Sequence, residues 1–180
     1  MKFKKLIAFV ILIIIAFYGG KYIVKEYIFP FRHKEAITKY AKENDLDPYF
    51  VVSVIMAESG FNRDAKSHKN ALGLMQITED TGEWIAKEMK LEDYTSDKLY
   101  EEEYNIKMGC WYLDNLRKEF GDMDLYVAAY NAGRGRVNEW LKNPSYSKEG
   151  ESLDYIPYKE TKKYVDKVKT YYKIYEMLYE

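Results

Sequence analysis

The sequence predicts a mainly helical domain with at most a small sheet, preceded by an N-terminal membrane helix. Three observations carry that expectation. From His33 onward, apolar residues recur at helical spacing almost throughout. Turn formers concentrate in one internal stretch, residues 61–77, where Asn62, Asp64, Asn70 and Gly73 stand. An unbroken apolar run, Leu6 to Tyr18, follows Lys2, Lys4 and Lys5.

The apolar run is taken first. Read on through Gly19, Gly20, Lys21, Tyr22, Ile23 and Val24 it covers 19 residues, about 28 Å of helix at about 1.5 Å per residue, close to the hydrocarbon thickness of a bilayer. Lys21 falls near the far interface, where its long stem lets the ammonium reach water. No small-x-small cleavage pattern follows the run, and Phe17 and Tyr18 crowd the obvious places. Residues 6–24 are therefore expected to be a retained single-pass anchor rather than a cleaved signal. The lysine cluster stays inside, so the rest of the chain faces the extracytoplasmic side. Residues 1–29 make the anchor and a short linker; residues 30–180 make the domain.

His33 to Asn44 reads as a short amphipathic helix. Asp47-Pro48 is a helix start, with Asp as N-cap and Pro at the first helical position. The helix Pro48 to Glu58 is apolar almost all round, which predicts the central buried helix, and Ser59-Gly60 ends it. After the turn-rich stretch, Thr78 or Asp80 caps a helix to about Lys90. Glu102 to Glu119 is longer and is closed by Gly121. Asp122 or Asp124 opens a short helix to Ala132, closed by Gly133, and Arg136 to Leu141 adds a turn or two. Residues 143–153 are a polar loop. A last long helix follows Pro157, with Tyr164, Val168, Tyr171, Tyr175 and Leu178 on one face at steps of four, three, four and three. That stripe reads as core packing at every position but Tyr164.

Composition narrows the function. The chain has 180 residues, enough for one compact core plus an appendage. Of 28 basic and 29 acidic residues, five Lys and one Glu fall in residues 1–29, which leaves 23 against 28 in the domain and argues against nucleic acid as a partner. Aromatics reach 17%, with 19 Tyr. Tyr suits a sugar or peptide groove because its ring stacks on an apolar face while its hydroxyl bonds a polar one; most of these Tyr are expected on half-buried helix faces. The one cysteine, Cys110, cannot form an internal disulfide and lies in an apolar stretch, so it reads as a small buried side chain.

Glu58 stands out. A carboxyl at the last turn of an apolar helix loses hydration and feels the negative end of the helix dipole, and both effects raise its pKa. A carboxylic acid protonated near neutral pH is what a glycosidic general acid must be. An exposed Glu at a fraying helix end fits the spacing equally well.

Three blocks bear on that choice: Glu58-Ser59-Gly60-Phe61 with Ala65-Lys66-Ser67 and Gly73-Leu74-Met75-Gln76-Ile77; Ala129-Tyr130-Asn131-Ala132-Gly133 with Gly135, Val137 and Trp140; and Ile156-Pro157-Tyr158-Lys159-Glu160-Thr161 with Tyr164, Val165 and Val168. In this order they resemble the motifs of the soluble lytic transglycosylase family, which has a goose-lysozyme-like fold; Asn105-Ile106 and Gly109 to Leu113 also fit. The resemblance covers about residues 34–180. It departs at Ala71-Leu72, where the family often has Gly-Ala, and at Glu79, where it often has Pro. The resemblance implies a lysozyme-like fold and a lyase that cuts the glycan strands of bacterial peptidoglycan during wall remodelling, leaving 1,6-anhydro-muramic acid ends, with no cofactor or metal. It makes Glu58 the single catalytic acid/base. Ser67, Met75, Gln76, Tyr130 and Asn131 become groove positions, and Tyr164 a residue whose hydroxyl lies near Glu58.

Two other readings stand beside it. A lysozyme-type muramidase requires a second carboxylate about 5–9.5 Å from the first, and Asp64, Glu79, Asp80 and Glu83 are available in sequence. A non-catalytic wall-binding module would have no use for an intact Glu58.

Overall fold

The computed structural model describes residues 2–180, with backbone only for residues 2, 4, 5 and 8. The lysine cluster expected on the inner flank thus lies outside the described side chains.

The first helix, α1 (Lys2–Ile23), is 22 residues long and runs directly into one π-helical turn, Val24–Ile28. The sequence reading ends this helix at Val24. It continues because no breaker occurs before Pro30, whose ring drives Phe29 out of the helical region (φ −127, ψ 63). The described large apolar side chains of α1, Phe3 to Ile23, are exposed. Among the described residues no helix is long and apolar enough to cross a membrane, so the span expected over residues 6–24 is not shown.

The domain follows the expected order with small shifts. After α2 (Lys34–Glu43) comes α3 (Pro48–Glu58), with Pro48 in its first turn and the Asp47 carboxylate accepting the Tyr49 N–H at 2.6 Å. Phe50 to Ile55 are all buried, so α3 is the core helix, lying along α8 (Lys159–Tyr179) and against α2. Residues 61–77 form mostly turns, and a hairpin of two short strands spans their end. In it β1 (Ala71–Leu72) pairs antiparallel with β2 (Ile77–Thr78), Ala71 opposite Thr78 and Leu72 opposite Ile77. Thr78 then caps α4 (Glu79–Glu88) through its hydroxyl, so Glu79 takes the first helical position. A 3₁₀ turn, Ser96–Tyr100, lies where the sequence carries no periodic signal.

The longest domain helices build the frame. One is α5 (Glu102–Phe120), ended by Gly121 at φ 70; α6 (Met123–Ala132) is capped by Asp122, and α7 (Arg134–Leu141) starts two residues earlier than expected. Both α2 and α6 pack on α5, and α6 also touches α7 and α8. The hairpin sits over α5 at a close approach that only glycine permits. A Cβ on Gly109 would lie 2.2 Å from the Met75 sulfur, and one on Gly73 would lie 2.1 Å from the Leu99 carbonyl oxygen.

Candidate active site

Four elements converge at the C-terminal end of α3. Glu58 is the last residue of that helix, and Ser59 then donates its hydroxyl proton to the Leu74 carbonyl at 2.8 Å, tying the helix end to the hairpin. Gly60, Phe61 and Gln76 adopt left-handed φ of 57, 67 and 50 around this junction. For a bulky residue such as Phe61 that conformation is costly and is held by its burial in the core.

From α8, Tyr164 donates its hydroxyl proton to Glu58 Oε1 at 2.5 Å. From α6, Tyr130 donates to the Met75 carbonyl at 2.7 Å, and its ring lies 5.5 Å from that of Tyr112 on α5. Burial, and then the neighbouring Glu58 charge, push both the Tyr130 and Tyr164 hydroxyls well above the ordinary phenol range. The two tyrosines and Glu58 therefore form one electrostatic group.

Glu58 keeps some solvent exposure, yet its carboxyl is enclosed by protein on most sides. Burial pushes it up from 4.5 to about 7; the Tyr164 hydrogen bond and the Lys167 ammonium pull the other way without offsetting burial. Lys167 lies one turn beyond Tyr164 and donates to the Ala57 carbonyl at 2.7 Å.

Not every residue singled out by sequence joins this group. Met75 is wholly buried against Gly109, so its side chain belongs to the core rather than to the surface around Glu58. Gln76 spends its amide protons on the Ala65 and Gly73 carbonyls, at 3.1 and 2.9 Å, leaving its carbonyl oxygen for another partner. The Ser67 hydroxyl accepts the Lys69 and Ala71 N–H groups and shapes the turn before β1. Asn131 is half-buried beside Tyr130. Asp64, Glu79, Asp80 and Glu83 are all exposed. Next to Tyr112 a concavity of roughly 370 Å³ is lined by Asp80, Thr81, Trp84 and Arg134, with the Arg134 guanidinium 4.9 Å over the Trp84 ring.

Sequence reasoning gives no role to two positioning residues, one named only as fitting the resemblance and one not singled out. Asn105, fully buried on α5, accepts the Met75 N–H and donates to the Leu72 and Leu99 carbonyls. Its signal was an amide inside an otherwise apolar helix face. The other is Lys167, which carries no local signal, because its role depends on α8 meeting α3.

Both stabilisers of the Glu58 carboxylate lower its pKa, so removing either one raises it. Tyr164→Phe is expected to move the Glu58 midpoint upward from about 7, and Lys167→Met to move it upward by less, with the wild-type salt dependence reduced. A ¹³C NMR titration of the carboxyl reads this directly. A wild-type midpoint near 4.5, or a downward move in either variant, would contradict the arrangement.

A mainly helical domain with a short hairpin folded over a carboxyl at the end of its central helix has the lysozyme-like architecture. The family model described as the transglycosylase SLT domain matches residues 35–153, and the chain belongs to that family. The soluble lytic murein transglycosylase of Salmonella typhimurium is 34% identical over 146 residues, which cover 79% of this chain and 23% of that protein. A membrane-bound lytic murein transglycosylase F from Desulfosudis oleivorans is 30% identical over 173 residues, covering 79% of this chain and 36% of that one. Among solved structures, the 70 kDa soluble lytic transglycosylase of Escherichia coli superposes with a TM-score of 0.73 at 30% identity, over 83% of this chain and 25% of that chain. An inactive mutant of the lytic transglycosylase Slt of Pseudomonas aeruginosa gives 0.72 at 31% identity, over 83% and 24%. The chain thus spans about a quarter of the length of its soluble relatives.

Proposed function

We propose that this chain is a peptidoglycan lytic transglycosylase in which Glu58 is the single acid/base. The observation that carries the reading is the Glu58 carboxyl itself, raised to about 7 by burial and hydrogen-bonded by Tyr164. Near neutral pH it holds a proton to give and afterwards accepts one back, which one group must do when it serves both steps.

Protonated Glu58 donates to the glycosidic oxygen as the β-1,4 bond between N-acetylmuramic acid and N-acetylglucosamine breaks. The substrate's own 2-acetamido group stabilises the positive charge that develops at C1. Glu58, now a carboxylate, takes the proton of the muramic C6 hydroxyl as that oxygen closes onto C1. The carboxyl is restored, the product is a 1,6-anhydro sugar, and no water is consumed. An intramolecular hydroxyl reaches an effective molarity of roughly 10⁵ M or more, against about 55 M for water, so ring closure outruns hydrolysis. Tyr130, Gln76 and Tyr164 hold the muramic ring so that C6–OH faces both C1 and Glu58. Ser67 and Asn131 extend the groove, and Met75 supports it from below. A muramidase would need a second carboxylate beside Glu58. The charge acting on Glu58 is instead the Lys167 ammonium, while Asp64, Glu79, Asp80 and Glu83 point to solvent-exposed positions.

Residues 6–24 are assigned to a membrane anchor within residues 1–29, and residues 30–180 to the catalytic domain on the wall side. The support is the exposure of the described large apolar side chains of α1, from Phe3 to Ile23.

Digestion of purified wall in ¹⁸O water tests the reaction. The expected muropeptides are unlabelled and end in 1,6-anhydro-muramic acid, about 18 Da lighter than hydrolysed ends, the mass of the water that intramolecular attack makes unnecessary. Labelled reducing ends as the main product would replace the proposal with a muramidase.

A further inference from the structure

The segment leaving α1 is not a loose tether. The Tyr179 hydroxyl lies 3.0 Å from the Lys25 carbonyl oxygen and 2.8 Å from that of Phe29, sharing its proton between them, and Tyr175 donates to the Pro30 carbonyl at 3.0 Å. The rings close the same clamp. Tyr175 stacks on Tyr179 at 5.8 Å, Phe29 meets Tyr175 edge-on, and Phe31 meets Tyr179 edge-on. The Lys25 ammonium sits 4.5 Å over the Tyr179 ring. On the far side, Tyr49 of α3 donates to the Tyr179 carbonyl at 3.0 Å. Residues 25–31 are thereby pinned to the last two turns of α8, and α8 to the helix that ends in Glu58. A flexible linker makes no such set of bonds.

The surface beside this clamp is apolar where a soluble domain would be polar. Met177 is 71% exposed and Tyr27 76%, with Tyr22 and Ile28 exposed alongside. An apolar cleft of roughly 620 Å³ runs between Ala16, Phe17, Gly20 and Val24 on one side and Met177 and Leu178 on the other, with Lys21 at its edge. Tyrosine rings and lysines beside an apolar helix are the composition of a membrane–water boundary, where the rings sit among headgroups and the ammonium groups meet lipid phosphates.

We propose that this end of the domain is a lipid-facing foot. Met177 of α8, with Tyr27 and Ile28 of the π turn, rests on the headgroup region of the bilayer that holds α1, and the tyrosine clamp carries the Glu58 site at a fixed height above it. The inference rests on the anchor reading of residues 6–24. A lipid surface is the occupant because the patch is continuous with the apolar side chains of α1, with Lys21 at its edge and Glu26 and Glu180 exposed around it. The consequence for the reaction is positional: the bonds cut are those of strands that pass at that height.

Site-directed nitroxide labels on the full chain in phosphatidylethanolamine–phosphatidylglycerol vesicles test this. Cys110 is wholly buried, and burial pushes its thiol up, so it stays unlabelled. The chain is expected to float with the vesicles. A label at Met177→Cys should be open to oxygen and shielded from a water-soluble nickel complex. A label at Lys148→Cys, on the exposed loop after α7, should show the reverse. In the double variant Tyr175→Phe/Tyr179→Phe, flotation should persist while the label at position 177 shifts toward water. A label at 177 as aqueous as that at 148, on floating chain, overturns the foot and leaves the anchor standing; an unchanged depth in the double variant overturns the clamp. Chain that does not float overturns the anchor reading and the foot together.

Discussion

Glu58→Gln is expected to lower glycan cleavage by on the order of a thousandfold, because the amide keeps the shape of the acid but neither gives nor takes the proton. Stability should respond in the opposite sense, and pH separates the two. The folded carboxyl holds its proton up to about 7 against 4.5 ordinarily. Its contribution to stability is complete below about 4.5 and is lost as pH rises through 7, where a charge is forced into the enclosed site. The full swing is on the order of 3 kcal/mol, reduced by the exposure that the residue retains. Urea unfolding between pH 4 and 8 should show wild type falling over that window and the glutamine variant lacking the fall, so that the variant is the more stable protein at pH 8. Turnover at the wild-type rate, or parallel pH dependences, would remove Glu58 from its role.

Asn105→Ala should damage both fold and site. Its amide accepts the Met75 N–H at 2.8 Å and donates to the Leu72 and Leu99 carbonyls at 3.0 and 2.8 Å, all in the dry interior. Truncation leaves the Met75 N–H and the Leu99 carbonyl without partners and takes one of two from the Leu72 carbonyl, which keeps its ladder bond to Ile77, at a cost of about 4 kcal/mol. It also releases the turn that presents Gln76 and receives the Tyr130 hydroxyl, so cleavage should fall further than the loss of folded protein explains. Urea unfolding gives the first quantity, and activity per folded molecule gives the second. The amide protons of residues 72–77 should exchange faster in the variant. A loss below about 1 kcal/mol would mean that the hairpin is held by its own packing instead.

Much of the fold could be read from local chemistry. Asp47-Pro48 starts α3, Gly121 ends α5 and Asp122 caps α6, each at its expected place, because caps and breakers act within a few residues of themselves. The buried acid was half legible: an apolar helix ending in Glu58 suggested desolvation, but its enclosure comes from α8 and α6, which no local pattern reveals. The same limit hid the tyrosine clamp. Spacing along α8 shows that Tyr175 shares a face with Val168 and says nothing of Pro30 lying opposite. Met75 went the other way. Its motif suggested a groove residue, yet Gly109, 34 positions later, leaves the space into which its side chain sinks.

The hydrogen bond between Tyr164 and Glu58 spans 106 positions of chain, and that separation orders events in time. A chain made from its N-terminus exposes Glu58 before Tyr164 exists. With α8 not yet docked, the carboxyl is hydrated, has its ordinary affinity for protons and is ionised at neutral pH. The incomplete chain therefore has no proton to donate from this position. On the proposed reaction, the acid becomes competent only when the C-terminal helix closes over it, so cleavage would have to wait until folding is nearly finished.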